Sequence, residues 1–131
     1  MPTTTHGMFH WNELMTWDAE KAKAFYADTL GWGYEAFPME FGEYIVCMAG
    51  DEVAAGIMEM KPGMDFDGMP DHWFQYITVD DVDARLAKVE AAGGEIMRAP
   101  FEVPKVGRIA IVKDKVGAII GWITPSPEDE G

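Results

Sequence analysis

The chain has 131 residues, one domain's worth, and nearly half are hydrophobic, which is ample for a core. Its 23 Asp and Glu against 10 Lys and Arg leave a net charge of −13, which repels phosphate backbones and anionic lipid and so argues against nucleic acid and membrane as partners. Single Cys47, in the run YIVCMAG, can form no internal disulfide and reads as a buried small hydrophobe. No signal peptide and no membrane-length apolar run are visible, so a cytoplasmic location is expected.

Residues 8–16 alternate and read as a strand. Asp18 caps a helix whose apolar face is Ala22, Phe25, Tyr26 and Leu30, and Gly31 stops it. Strands are predicted at 32–38, 43–49 and 53–60, separated by Gly42 and by GDE at 50–52. Residues 61–71, rich in Gly, Pro and Asp, read as a linker. The order then restarts with a strand at 72–79. Asp80 or Asp81 caps a helix carrying Val82, Leu86 and Val89, and AAGG ends it at 91–94. Strands follow at 95–98, 107–113 and 118–124, and an acidic tail at 126–131 is expected to fray.

The chain therefore reads as two βαβββ units, 8–60 and 72–125, in an α+β fold. Asp18 and Asp80 correspond at an offset of 62, as do Gly31 and Gly93. One curled four-stranded sheet leaves a face open, so two placed edge to edge are expected to form an open barrel or cleft with helices outside. Its concave face is the natural ligand site.

The stretch DAEKAKAFYADTLGW after the first strand, the repeat opening YITVDDVDA and the closing DKVGA resemble the vicinal oxygen chelate superfamily of glyoxalase I, bleomycin resistance proteins and extradiol dioxygenases. The resemblance covers residues 8–125. WNELMTWD, PDHWFQYITVDDVDA and VPKVGRIAIVKDKVGA more closely resemble a glyoxalase-like subgroup related to a mycobacterial antigen and hydroxylase-type proteins.

The opening run HGMFHWNELMT offers His6, His10, Asn12 and Glu13, a suggestive set for a metal. Catalytic members of the family hold a divalent metal with His and Glu from four strands, which would keep coordination sites open for the substrate. Carried onto this sequence, those positions fall on Trp11, at or near Gly56, on Phe74 and on Gly121. None has a metal-binding side chain. A one-residue slip would rescue His10, but only by turning the strand's hydrophobic face outward. The expectation is a cleft with no metal ligands and no cofactor.

With parity set by Trp11, the inner face carries Trp11, Glu13 and Met15, then Gly56 and Met58, then Phe74, Tyr76 and Thr78, and finally Gly121. Aromatic walls and glycine gaps suit a small, partly aromatic or apolar molecule. Glu13 could bind a cation or act as acid or base, or else pair with Arg108. Arg108 could equally clamp an anion or balance a surface acid, and His72 could be a polar gate or proton shuttle. The ligand-binding set is thus Trp11, Glu13, Met58, Phe74, Tyr76, Arg108 and Gly121, with Glu13, His72 and Tyr76 as candidate catalytic residues. The first reading is a binding protein in the manner of bleomycin resistance proteins. The alternative is an enzyme of lyase, isomerase or dioxygenase type using Glu13 or an unconventional metal. The resemblance also implies a homodimer.

Overall fold

In the computed structural model, residues 4–39, 42–64, 66–103 and 106–126 are described. The elements run β1 (Phe9–Thr16), α1 (Ala19–Leu30), β2 (Gly33–Met39), β3 (Gly42–Ala49), β4 (Glu52–Glu59), β5 (His72–Thr78), α2 (Val82–Leu86), β6 (Glu95–Val103), β7 (Gly107–Lys113) and β8 (Ile119–Pro125). This is βαβββ twice, as the periodicity implies. No helix among the described residues is long and apolar enough to cross a membrane. Nearly all of the acidic tail, from residue 127 on, lies outside the described residues.

The chain divides into two compact units, residues 12–74 and residues 4–11 with 75–126. The segment 61–71, expected as a linker, falls within the first of these, and hydrogen bonds tie it there. Thr16 Oγ1 donates to Asp71 Oδ2 (3.1 Å) and Trp17 Nε1 donates to the Met69 carbonyl (2.7 Å). Residues 4–11 belong with the second unit for the same reason. Gly7 N donates to the Thr78 carbonyl and Thr78 N to the Met8 carbonyl, both at 2.8 Å.

In the first unit the strand order is β2-β3-β4-β1, with β1 parallel to β4 and the other pairs antiparallel. α1 starts where the sequence says it should: the Asp18 carboxylate accepts from Lys21 N at 3.0 Å, and Glu59 Oε2 accepts from Ala19 N at 2.9 Å. It stops at Gly31, whose left-handed φ of 76° lets its N–H reach the Ala27 carbonyl. The core comprises Leu14, Ala19, Ile45, Cys47, Ala55 and Ile57, with Ala22, Tyr26, Trp32 and Tyr34 packed against it. One face of the sheet is thereby committed to α1. Side chains alternate along strands, so Glu13, Met15, Tyr44, Val46, Gly56 and Met58 lie on the other.

In the second unit the order is β5-β8-β7-β6, with β5 parallel to β8. Asp81 is the cap of α2, accepting from Ala84 N at 3.2 Å, whereas Asp80 is engaged by Arg85 (2.9 and 2.8 Å). α2 is shorter than its apolar spacing implies. It gives way to turns after Leu86, yet Val82, Leu86 and Val89 all reach the core with Val79, Ala110 and Val112. Gly94 closes the segment tightly against β7: a Cβ there would sit 2.7 Å from the Lys113 carbonyl. β6 runs past the expected end at Arg98 to Val103, with register irregularities between Ile96 and Phe101. It is the edge strand of this sheet, where Pro100 can withhold its missing N–H without breaking a central ladder. In the β7–β8 turn the Asp114 carboxylate accepts from Val116 N (3.0 Å) and Ala118 N (2.9 Å), and Gly117 takes φ 100°.

Candidate functional site

In the first unit, Glu13 stands opposite Gly56 in the β1–β4 register, and Gly56 stands opposite Val46 in the β4–β3 register. One row further on, Met15, Met58 and Tyr44 cross the same three strands. Glu13 is only 6% exposed, and a buried carboxylate needs a hydrogen-bond donor. Tyr44 Oη supplies one, donating to Glu13 Oε2 at 2.7 Å. That length is in the charge-assisted range for an O–H on a carboxylate.

Gly56 is explained by the same contact. A Cβ at this position would fall on the Tyr44 hydroxyl and ring. The gap left by the missing side chain is thus filled from within the unit by the phenol, and is not open for a ligand as its sequence position suggested. Tyr44 itself escaped the sequence reading. Its parity could not be fixed until β3 was registered against β4.

His72 and Phe74 open β5 within the first unit, their rings 6.3 Å apart and nearly perpendicular. His72 Nδ1 lies 2.7 Å from the Pro70 carbonyl. A carbonyl only accepts, so Nδ1 carries the proton that it donates there. Met58 is half-buried beside Tyr44 in the β3–β4 register.

The second unit repeats the pattern. Tyr76 stands opposite Gly121 in the β5–β8 register, and Gly121 opposite Ile111 in the β8–β7 register. This row lies on the face away from α2, because Ile77, Ala110, Val112, Ile120 and Trp122 pack toward the core that α2 covers. Trp11 is half-buried in β1. Its neighbour His10 is 9% exposed, with Nδ1 3.1 Å from Thr78 Oγ1. His10 is thus a buried hydrogen-bonded histidine. His6, the other histidine of the opening run, accepts from Asp80 N at 3.0 Å.

Arg108 is not brought to the Tyr76–Gly121 face. It has the parity of Ala110 and Val112, and its guanidinium grips Asp83 of α2 at 2.8 and 3.1 Å and Glu102 at 2.9 Å. These bonds hold the Asp83 carboxyl below the usual carboxylate range. Neighbouring charge thus commits Arg108 to the α2 side of its sheet. An unrelated cavity of about 460 Å³ opens on the α1 side of the first unit, bordered by Glu20, Glu43, Glu59 and Lys61. It does not contain Glu13.

The residues present do not fit the divalent metal that the resemblance implies. Trp11, Gly56, Phe74 and Gly121 offer no side-chain donors, and the space at Gly56 is taken by Tyr44. Among the described residues no group of three or more His, Cys, Asp or Glu is placed to hold a metal ion.

Residues 8–120 match the model of the Glyoxalase/Bleomycin resistance protein/Dioxygenase superfamily. The chain belongs to this superfamily. Glyoxylase CFP32, provisionally so named, of Mycobacterium tuberculosis and of Mycobacterium bovis is 41% identical to it over 123 residues, 93% of this chain and 46% of the relative. The anthracycline biosynthesis protein DnrV of Streptomyces peucetius is 32% identical over 120 residues, 82% of this chain and 43% of DnrV. The chain thus spans about half the length of the curated relatives it matches. Among solved structures, methylmalonyl-CoA epimerase from Mycobacterium tuberculosis aligns with a TM-score of 0.66 at 19% identity, covering 99% of this chain and 96% of that one. A variant of the Streptomyces coelicolor epimerase, in complex with 2-nitronate-propionyl-CoA, aligns at 0.67 and 16%, covering 93% and 99%. At these identities the two structures share the superfamily fold with the chain.

Proposed function

We propose that this superfamily member binds a small, partly aromatic or apolar molecule on the face of the first unit's sheet turned away from α1, with no resident metal and with Glu13 as the polar anchor. The observation that carries the reading is the buried Glu13 carboxylate held by the Tyr44 hydroxyl at 2.7 Å. A buried carboxylate with a hydrogen-bond donor, on a face otherwise made of Met15, Tyr44, Val46, Gly56 and Met58, is the usual make-up of a small-molecule site. Met58 and Phe74, which lie in the same unit as Glu13, would supply apolar wall beside it. The relation to an anthracycline biosynthesis protein supports a fused-ring aromatic ligand. Arg108 has no part in this reading, because Asp83 and Glu102 hold it.

The test is quenching of tryptophan fluorescence by an anthracycline, with metal analysis of the same preparation. Saturable quenching with substoichiometric metal is expected. Stoichiometric Ni, Zn or Fe, or no saturable response to any fused-ring aromatic, would overturn it.

A second reading is favoured by the same contact. Glu13 could move a proton as general acid or base, with His72 of the same unit assisting, in keeping with the glyoxylase name of the mycobacterial relative. Turnover lost in Glu13→Gln with binding retained would establish it. The expected homodimer is checked by light scattering of the purified chain.

A further inference from the structure

Glu13, Tyr44 and Gly56 lie on three different strands, and each is shaped to the other two. The Tyr44 hydroxyl is on Glu13 Oε2, and Gly56 is the residue directly opposite Glu13. Any side chain at 56 would occupy the place of the phenol. The second unit shows that the fold does not require this arrangement. There the matching row is Tyr76, Gly121 and Ile111. Gly121 and Ile111 stand 65 positions after Gly56 and Val46, and the residue 65 after Tyr44 is Ile109. Ile109 pairs with Ile123 as Tyr44 pairs with Met58. Both sheets thus place glycine at the same point, but only the first sends a phenol across it to a carboxylate. An apolar β-branched residue satisfies the same strand position in the second.

We infer that Tyr44 is a positioning residue that fixes the orientation of Glu13, and that residue 56 is glycine to clear its path. This rests on the reading of Glu13 as the ligand's polar anchor and sharpens it. An ionised carboxylate only accepts hydrogen bonds, so the ligand group that complements Glu13 in that form is a donor: a hydroxyl, an amine or an amide N–H. The ligand class becomes an aromatic molecule bearing such a donor, not a purely apolar or an anionic one.

The chain has four tyrosines, so tyrosine labelled with 13C at Cζ gives four resonances, with Tyr44 assigned by its loss in Tyr44→Phe. Glu13→Gln and Gly56→Ala should each move the Tyr44 resonance. Gly56→Ala does so with both hydrogen-bonding residues intact. In a Tyr44→Ala background Gly56→Ala should no longer lower the melting temperature, which keeps the clearance claim testable if the single variant folds poorly. A Tyr44 resonance indifferent to Glu13→Gln, or a Gly56→Ala penalty that persists without the tyrosine, overturns the inference. With an anthracycline as probe, Tyr44→Phe should bind about tenfold more weakly, the scale of one charge-assisted hydrogen bond. A wild-type chain that binds no anthracycline overturns the ligand reading alone, because the resonance test needs no ligand.

Discussion

Replacing Tyr44 by Phe removes one hydroxyl, and the part of its cost that depends on Glu13 reports the bond between them. A hydrogen bond to a charged group contributes about 1.5–3 kcal/mol. The short 2.7 Å contact argues for the upper part of that range, whereas Tyr44 is only half-buried, which lets water replace part of the loss. A coupling of about 1.5 kcal/mol follows, and residues in direct contact are where such non-additivity is expected. The assay is a double-mutant cycle of Tyr44→Phe and Glu13→Ala followed by urea denaturation. With a slope of about 2 kcal/mol per molar urea, Tyr44→Phe alone should lower the midpoint by about 0.7 M. In the Glu13→Ala background the same substitution should cost about 1.5 kcal/mol less. Additive costs in the cycle would show that the phenol and the carboxylate do not act on one another.

Ile57 is fully buried beneath α1, so Ile57→Ala should cost about 2–5 kcal/mol, read from the same urea curves, and less than 1 kcal/mol would contradict the assigned core. Burial pushes the Cys47 thiol up to about 11, so at pH 8 it should resist a thiol-reactive dye until urea unfolds the chain; prompt labelling of the folded protein would place it at the surface. The Asp80 carboxyl is lowered to about 2, first by its hydrogen bonds to Arg85 and then by the nearby charges of Arg85 and His6. Because this folded-state value is depressed, its contribution to stability is present above the ordinary carboxyl range and is lost as pH falls toward 2. An NMR titration should place its midpoint near 2, and Arg85→Gln should return it to the range of a free aspartate; an unchanged midpoint would remove Arg85 as the cause.

Much of the fold was legible because its signals are local. Asp18 and Gly31 mark α1 through cap chemistry, and Asp114 with Gly117 marks the last turn. Strand alternation likewise put Glu13 and Gly56 on one face without any knowledge of pairing. What was not legible depends on register between strands distant in sequence. Tyr44 could not be assigned to a face until Val46 was paired with Gly56, and the glycine then read as empty space when it is occupied space. For Arg108 the choice between anion clamp and partner of a surface acid stayed open, because Asp83 lies 25 residues away on α2. The segment 61–71 is held more firmly than its composition suggests. A Gly- and Pro-rich segment reads as a linker, but the hydrogen bonds of Met69 and Asp71 to Trp17 and Thr16 anchor it.

The central claim is that Glu13 anchors a small aromatic ligand bearing a hydrogen-bond donor. Calorimetric titration of wild type and Glu13→Gln with a hydroxyl-bearing anthracycline tests it most directly. The account predicts saturable binding to wild type and binding at least about tenfold weaker to Glu13→Gln, the loss of one charge-assisted bond. Equal affinity for the two proteins would contradict it.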